Sequence, residues 1–285
     1  MDNQQKTATL STAGPGAPAL TVNGIPYIKA EHLDVGYANE VVVSDISFEL
    51  GAGEAIALIG TNGSGKSTLL KTVVGLLPSM GGQLSIFGMP PGKNHARIAY
   101  LGQFHHSGFV LPLRTIDVVR MGRFPLHGLW RRMGREDDEI VLSAMRTMGI
   151  EKLADSPLRS LSGGQQQRTY LAQVLAHQAS LLVMDEPTSG LDAGGRELYL
   201  QAMNTELSRG ASVVMATHDI QEEAAMCNRV MLLARKVVAL GAPHDVLTPQ
   251  ALLETFGIVI TAEKRMHVLE TKHGHDHGKR PGTRS

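Results

Sequence analysis

The stretch GTNGSGKST, residues 60–68, has the composition of a phosphate-binding loop. It fits the pattern G-x-x-x-x-G-K-[ST] and lies between a short apolar run and a run with helical spacing. Glycines let a backbone wrap closely around phosphate groups, and the start of a helix adds partial positive charge. Here Lys66 would reach the outer phosphates and the Ser67 hydroxyl would coordinate Mg²⁺. The predicted nucleotide contacts are Gly60, Thr61, Asn62, Gly63, Ser64, Gly65, Lys66, Ser67 and Thr68.

Two adjacent carboxylates follow a second apolar run, in LLVMDEP at 181–187. Side chains alternate between the faces of a strand, so the two carboxylates are predicted to point to opposite sides. Asp185 could then face a metal ion behind the phosphates, and Glu186 could face an attacking water as a general base. An isolated Asp-Glu pair is more often exposed surface, but the phosphate loop in the same chain favours the catalytic interpretation.

Three further candidates are weaker when each is taken alone. His218 lies near the end of the run ASVVMATHD, where its ring could reach a terminal phosphate, although such a histidine is more often structural. Gln103 ends RIAYLGQ and could equally be polar surface. Tyr37, in HLDVGYANE, could stack its ring on an adenine or pack partly into the core.

The stretch LSGGQQQR, residues 161–168, predicts a second anion site. Ser162 can cap the helix that the following apolar spacing indicates, and the glycines leave backbone N–H groups bare. Attraction of an anion to a helix start is worth only ~0.3–2 kcal/mol. This stretch is therefore too weak to capture a nucleotide by itself.

The elements that must position these residues alternate between strand and helix. Strands are predicted at 26–35, 41–50, 54–60, 84–88, 97–102, 180–187, 211–219 and 229–241, and helices at 67–77, 136–149, 194–210 and 219–227. This alternation favours an α/β fold whose mainly parallel sheet is covered on both faces. We expect a flexible tail at 1–25, one domain at 26–258 with a helical insertion at about 104–165, and a C-terminal extension at 259–285.

Composition excludes several classes of protein. The 285 residues carry 27 Lys plus Arg and 27 Asp plus Glu, so no overall positive charge favours nucleic acid as a partner. Cys227 is the only cysteine, which excludes an intrachain disulfide and favours a reducing compartment. No apolar run approaches the ~18–20 residues that cross a bilayer, and the N-terminal residues are not typical of a signal peptide. We expect a cytoplasmic protein.

Taken together, these motifs resemble the nucleotide-binding subunit of an ATP-binding cassette (ABC) transporter over about residues 27–250. By position, Tyr37 matches the aromatic A-loop, 60–68 the Walker A loop, Gln103 the Q-loop, 161–165 the LSGGQ signature, Asp185 and Glu186 the Walker B and catalytic carboxylates, Ser189–Asp192 the D-loop, and His218 the switch histidine. The resemblance implies a P-loop cassette with a mainly parallel core sheet, an N-terminal antiparallel β part and an inserted helical subdomain. It also implies ATP and Mg²⁺ as ligands.

The same resemblance implies a division of roles among the site residues. Lys66, Gln103, Glu186 and His218 would act in hydrolysis, and Ser67, Gln103 and Asp185 would hold Mg²⁺. Two cassettes would pack head to tail, so that one chain completes the ATP site of the other with Ser162, Gly163, Gly164, Gln165 and Asp192. Permease subunits, with an extracellular or periplasmic solute-binding protein acting through them, would hold the cassettes at the cytoplasmic face of the membrane.

The cargo is predicted from segment 104–137 and the signature helix, which look most like cassettes of divalent metal importers, the manganese and zinc group. Cassettes for iron-siderophore or cobalamin import are the alternative. ABC ATPases that act on chromosomes or ribosomes usually carry coiled-coil arms, zinc insertions or paired cassettes, none of which the sequence contains. A regulatory module without hydrolysis is disfavoured by the complete set of catalytic motifs. His273, His275 and His277 could bind Zn²⁺, or could be part of a polar tail without a ligand.

Overall fold

The computed structural model of the protein describes residues 25–103, 113–127 and 133–257. The predicted N-terminal tail up to residue 24, part of segment 104–137, and the three tail histidines lie outside these ranges. Within them, the nine strands are β1 (Ile28–Tyr37), β2 (Glu40–Leu50), β3 (Ala55–Ile59), β4 (Gly81–Ile86), β5 (Ile98–Leu101), β6 (Leu181–Asp185), β7 (Ser212–Ala216), β8 (Arg229–Leu233) and β9 (Val237–Gly241).

Eight α-helices are found in the described ranges. They are α1 (Lys66–Val73), α2 (Thr115–Arg120), α3 (Phe124–His127), α4 (Arg135–Thr147), α5 (Gly163–His177), α6 (Ala193–Ser208), α7 (Pro243–Val246) and α8 (Pro249–Phe256). Short 3₁₀ turns lie at His95–Arg97, Met121–Arg123, Glu151–Leu153 and Leu158–Ser160. None of the helices in these ranges has the length and apolar character needed to span a membrane.

The strands form two sheets. Strands β2, β1 and β4 make an antiparallel sheet in that order, with polar and apolar residues alternating along β2 as expected for a half-buried strand. The larger sheet has the order β5-β6-β7-β3-β8-β9, and only the pair β8-β9 is antiparallel. The predicted fold class, a mainly parallel sheet with an antiparallel β part, is confirmed.

The parallel sheet has a core on each face. Strands β3, β6 and β7 are buried along their whole length, which is why they appear in the sequence as unbroken apolar runs. Alternate residues enter different cores: Ala57 and Leu182 pack with helices α4, α5 and α6, whereas Ile56 and Val183 pack with α1 and the antiparallel sheet. The sheet is therefore fixed between two apolar layers, and the ends of its strands are rigid positions for functional side chains.

The inserted helices are attached to α5 by a buried arginine, which also forms an ion pair with α4. Arg123 Nε donates to Asp137 Oδ1 at 2.9 Å, and Arg123 Nη1 donates to the carbonyl of Ala176 at 3.0 Å. Burial alone would raise the pKa of Asp137, but hydrogen bonds from Gly134, His127 and Arg123 hold it well below its ordinary value. A Cβ on Gly122 would lie 2.2 Å from the carbonyl oxygen of Gln173, so this junction has no room for a side chain.

Two of the predicted elements differ in the structure. Residues 229–241 form two antiparallel strands, because Arg235 between them has a positive φ of 59° that reverses the chain. The helix predicted at 219–227 is wrong, since this segment is a series of turns. Asp219 Oδ1 accepts from the amides of Gln221 and Glu222, and the Ala224 amide bonds five residues back to the Asp219 carbonyl. These competing bonds replace the regular i→i−4 ladder.

Candidate functional site

The phosphate loop connects the end of β3 to the start of α1. Gly63 and Gly65 have φ angles of 80° and 106°, a region that glycine adopts without strain. A Cβ on Gly65 would also lie 2.1 Å from Val43 Cγ2. This position therefore needs glycine both for its backbone conformation and for its contact with the antiparallel sheet.

Lys66 is a buried cation at the centre of the loop. Its side chain is almost fully enclosed, and Nζ donates to the carbonyls of Gly60 at 2.7 Å and Thr61 at 3.0 Å. Burial lowers the pKa of Lys66, and the negative charges of Glu186 and Asp185 oppose that shift. A buried ammonium group with further donor capacity favours an anion beside it.

Asp185, the last residue of β6, has an unused acceptor oxygen. The side chain is 3% exposed, and its Oδ2 has no hydrogen-bond partner among the described residues. Burial raises the pKa of Asp185, while a hydrogen bond from Ser67 lowers it. Hydroxyl, carboxylate and amide oxygens are the ligands that Mg²⁺ prefers. Ser67, Asp185 and the neighbouring Gln103 therefore fit a magnesium ion, with the free Asp185 oxygen available to it.

Glu186 lies just beyond the strand. Its φ of 50° is in the left-handed region, so the alternation expected along a continuous strand does not apply to it. This conformation costs ~1–3 kcal/mol in a residue other than glycine. The Glu186 amide donates to the Ala216 carbonyl at 2.9 Å, which ties the turn to β7. His218 Nδ1 lies 3.6 Å from Glu186 Oε1, and the histidine ring is mostly exposed.

Lys66, Ser67 and Glu186 line one pocket of about 480 Å³, whereas Asp185 and His218 are not among its lining residues. Its lining residues are Tyr37, Val42, Asn62, Gly63, Gly65, Lys66, Ser67, Thr68, Gln103 and Glu186. Tyr37 is 44% exposed, so its ring is free to stack on a ligand. The pocket thus offers an aromatic surface, a buried cation, oxygen ligands and a carboxylate base, which together suit a nucleoside triphosphate with its metal ion.

Some predicted contacts do not line this pocket. Gly60 and Thr61 contribute the carbonyls that accept from Lys66, and Ser64 is buried with its Oγ unpaired among the described residues. Asp192 caps helix α6, where its Oδ1 accepts from the Gly195 amide at 2.8 Å. Val42 lines the pocket but carries no motif that could have identified it from the sequence.

The signature residues also lie outside the pocket lining. Ser162 Oγ accepts from the Gln165 amide at 3.3 Å, and Gln165 Oε1 accepts from the Ser162 amide at 2.9 Å. This reciprocal capping box starts α5 at Gly163, as the sequence predicted for the helix cap. A Cβ on Gly163 would meet no atom within 4 Å, so the helix start is open on that side.

The same helix contacts the loop that follows Glu186. Gln167 Nε2 donates to the Pro187 carbonyl at 2.7 Å, and a Cβ on Gly164 would lie 2.9 Å from the Gly190 carbonyl oxygen. Sequence reasoning missed Gln167, because neither its type nor its spacing indicates a partner 20 residues away. The contact joins the first turns of α5 to the loop that follows Glu186.

Comparison with known proteins identifies the relatives of this chain. The family model described as ABC transporter matches residues 43–189. The manganese transport system ATP-binding protein of Bacillus subtilis (strain 168) is 34% identical over 81% of this chain and 92% of its own length. The zinc transport system ATP-binding protein of Treponema pallidum (strain Nichols) is 34% identical over 81% of this chain and 86% of its own. A solved metal-chelate type ABC transporter in an inward-facing conformation matches with a TM-score of 0.69 at 27% identity, over 81% of this chain and 88% of the matched one.

The Gln167 contact predicts a change in local dynamics. Gln167→Leu removes the bond to Pro187, and a net hydrogen bond is worth ~0.5–1.5 kcal/mol. The turn that protects the amides of Ser189 and Leu191 should therefore open more often. We expect hydrogen–deuterium exchange in peptides covering residues 186–191 to become about two- to tenfold faster. The matched control is Gln166→Leu, which loses only a bond to the Leu161 carbonyl within the signature itself. Equal exchange in the two variants would contradict this role for Gln167.

Proposed function

The chain belongs to the ABC transporter family as an ATP-binding, ATP-hydrolysing subunit, and from that premise we propose that it powers import of a divalent metal ion, manganese or zinc, through separate permease subunits. The observation that supports this choice of cargo is the similarity to two relatives named for manganese and zinc transport, each matched over most of its length. Import of an iron chelate is the second candidate, which the match to a metal-chelate type transporter supports.

The mechanism that we propose is in-line attack of water on the γ-phosphate of ATP. Tyr37 stacks on the base, and the enclosed Lys66 ammonium holds the outer phosphates. Glu186 lines the same pocket as Lys66, and its carboxylate would orient the water and accept its proton. His218, 3.6 Å from that oxygen, supports the Glu186 carboxylate and the developing negative charge.

Mg²⁺ would be held by Ser67, Asp185 and Gln103, the three oxygen donors described above. The ion would supply positive charge that offsets the charge on the phosphate oxygens. Burial and the nearby Glu186 charge raise the pKa of Asp185 above its ordinary value, and the Ser67 hydrogen bond and the Lys66 charge limit that rise.

We infer that two copies of the chain form the working unit, packed head to tail. The signature residues start a helix with bare backbone donors but do not line their own chain's pocket. The open space at Gly163 leaves room for a phosphate held by a partner. Each copy would therefore complete the other's site with Ser162, Gly163 and Gly164.

The inserted helices would meet the permease and so place the chain at the cytoplasmic face of the membrane. Phe124 and Leu126 on α3 are 49% and 39% exposed, and they follow Arg123, whose hydrogen bond to the Ala176 carbonyl attaches this region to α5. Exposed apolar side chains on a rigidly attached helix suit a protein partner. A solute-binding protein on the other side of the membrane would deliver the ion to the permease.

Glu186→Gln tests the assignment of the base. The amide keeps the shape of the side chain but cannot accept the proton, so we expect turnover to fall by at least about 100-fold. Binding of ATP should remain close to that of the wild type, because Lys66 and Tyr37 are unchanged. Steady-state hydrolysis and a fluorescent-nucleotide titration measure the two effects. Near-normal turnover in this variant would refute the assigned role.

Mixed dimers test the head-to-tail arrangement. Lys66→Ala and Gly163→Glu should each be inactive alone, because every site then contains one damaged half. When the two variants are co-assembled, one site combines the intact halves, so ATP hydrolysis should reappear. Pairing Lys66→Ala with Glu186→Gln is the control, since both changes damage the same half and no intact site forms. Failure of the first pair to recover would exclude the arrangement.

Uptake measurements test the cargo. Deleting the gene for this chain in its own organism should lower accumulation of radioactive manganese or zinc, and the wild-type chain should restore it. The Glu186→Gln chain should not restore uptake, because import depends on hydrolysis. A deficit confined to iron-chelate uptake would instead establish the second candidate. Unchanged uptake of all three would eliminate both.

A further inference from the structure

Arg235, in the turn between β8 and β9, bonds to two separate parts of the nucleotide pocket. Its backbone amide donates to the carbonyl of Ser64 in the phosphate loop at 3.3 Å. Its guanidinium Nη2 donates to Glu40 Oε1 at 2.9 Å, and Glu40 lies at the end of the turn that follows Tyr37. One residue therefore connects the loop assigned to the phosphates with the hairpin turn assigned to the base.

The backbone of the β8–β9 turn is closely packed against the phosphate loop. A Cβ on Gly60 would lie 2.1 Å from the Leu233 carbonyl oxygen, so the end of β8 touches the start of the loop. The φ of 59° at Arg235 is a strained conformation, which persists only where the surrounding contacts hold it. Lys236 forms a parallel bridge with Ser44 of β2 on the other side. The turn is thus a fixed point between the phosphate loop and the antiparallel sheet.

The hairpin turn that carries Tyr37 has few packed contacts of its own. Tyr37 and Glu40 are paired directly across a turn of two residues, and residues paired in this way project from the same face of a hairpin. Residues 37–41 are all exposed. A hairpin tip with little buried surface moves readily about its strands. The bond from Arg235 to Glu40 therefore restrains an otherwise weakly held turn.

The strength of this restraint follows from the exposure of the pair. The side chains of Arg235 and Glu40 are 64% and 75% exposed, so water and salt screen their attraction. An ion pair of this kind changes an equilibrium by about two- to fivefold. That range is too small to hold the fold together, but it is sufficient to alter how well a mobile turn is placed for a ligand.

We propose that Arg235 is a positioning residue for the nucleotide base: through Glu40 it holds the 37–40 turn at a set distance from the phosphate loop. The Tyr37 ring is then already in place for a base whose phosphates lie beside Lys66. The proposal rests on the assignment of Tyr37 to the base. Without the pair, the turn must be ordered when the nucleotide binds, and that ordering lowers affinity. Binding of a phosphate chain that carries no base is unaffected.

The test compares Arg235→Gln with Lys236→Gln in the full-length chain. Lys236 is a matched control, because it is 63% exposed in the same turn and pairs with Glu254 on α8 at 2.7 Å, away from the pocket lining. Isothermal titration calorimetry measures ADP, which carries the base and is not hydrolysed, and pyrophosphate, which has no base. We expect Arg235→Gln to bind ADP about two- to fivefold more weakly and pyrophosphate as the wild type does. Lys236→Gln should bind both ligands as the wild type does.

A double-mutant cycle shows whether the effect passes through Glu40. Glu40→Gln should weaken ADP binding by the same factor as Arg235→Gln, and the double variant should be no weaker than either, because all three lose one interaction. Tyr37→Ala should itself weaken ADP binding, and adding Arg235→Gln to it should have no further effect. In ~1 M salt the difference between Arg235→Gln and the wild type should nearly disappear.

Wild-type affinity for ADP in Arg235→Gln would overturn the proposal. An equal loss of ADP and pyrophosphate affinity would also overturn it, since a guanidinium that contacts the phosphates directly gives that result. Wild-type ADP affinity in Tyr37→Ala would remove the assignment of the base and this proposal together. Loss of ADP affinity in Tyr37→Ala but not in Arg235→Gln would remove this proposal alone. The metal-import proposal is decided separately, by uptake in cells.

Discussion

The structure depends on one electrostatic constraint, the enclosure of the Lys66 ammonium group opposite two carboxylates. Its bonds to the Gly60 and Thr61 carbonyls close the loop, and the charges of Glu186 and Asp185 offset the cost of burying it. A buried cation held by neutral carbonyls keeps most of its attraction for an anion, because little water screens it. The loop is therefore arranged for phosphate before any ligand arrives, and Asp185 retains a free oxygen beside it.

The order of the strands explains how distant residues meet this cation. In the order β5-β6-β7-β3, four neighbouring parallel strands end at the same edge of the sheet. Gln103 follows β5, Glu186 follows β6, His218 follows β7, and the phosphate loop follows β3. Since each of these strands is buried on both faces, its end cannot shift independently. The functional groups thus share one rigid edge, although they span more than half of the chain.

The strand ends and motifs could be predicted from sequence because each depends on local signals: an apolar run, a glycine pair, a capping serine. The details that failed depend on contacts between distant residues. Nothing near Glu186 predicts its left-handed backbone, which its bond to Ala216 in β7 stabilises. The apolar spacing at 219–227 favoured a helix, but Thr217 and Asp219 draw the backbone amides into turns. The partner of Gln167 could not be predicted either, since nothing in the stretch 161–168 indicates a contact with Pro187.

A hydrogen bond links the signature helix to the turn that carries Glu186, and this link bears on how the two copies that we propose would act together. The start of α5 attracts an anion by only ~0.3–2 kcal/mol, so in the head-to-tail pair that we propose it would respond to a phosphate that Lys66 of the other copy already holds. Through Gln167 the same helix holds the Pro187 carbonyl, one residue beyond Glu186. A phosphate that attracts the backbone at Gly163 would therefore also act on the turn that positions Glu186 in the same chain as Gly163. In a head-to-tail pair, occupation of one site would in this way adjust the catalytic carboxylate of the other.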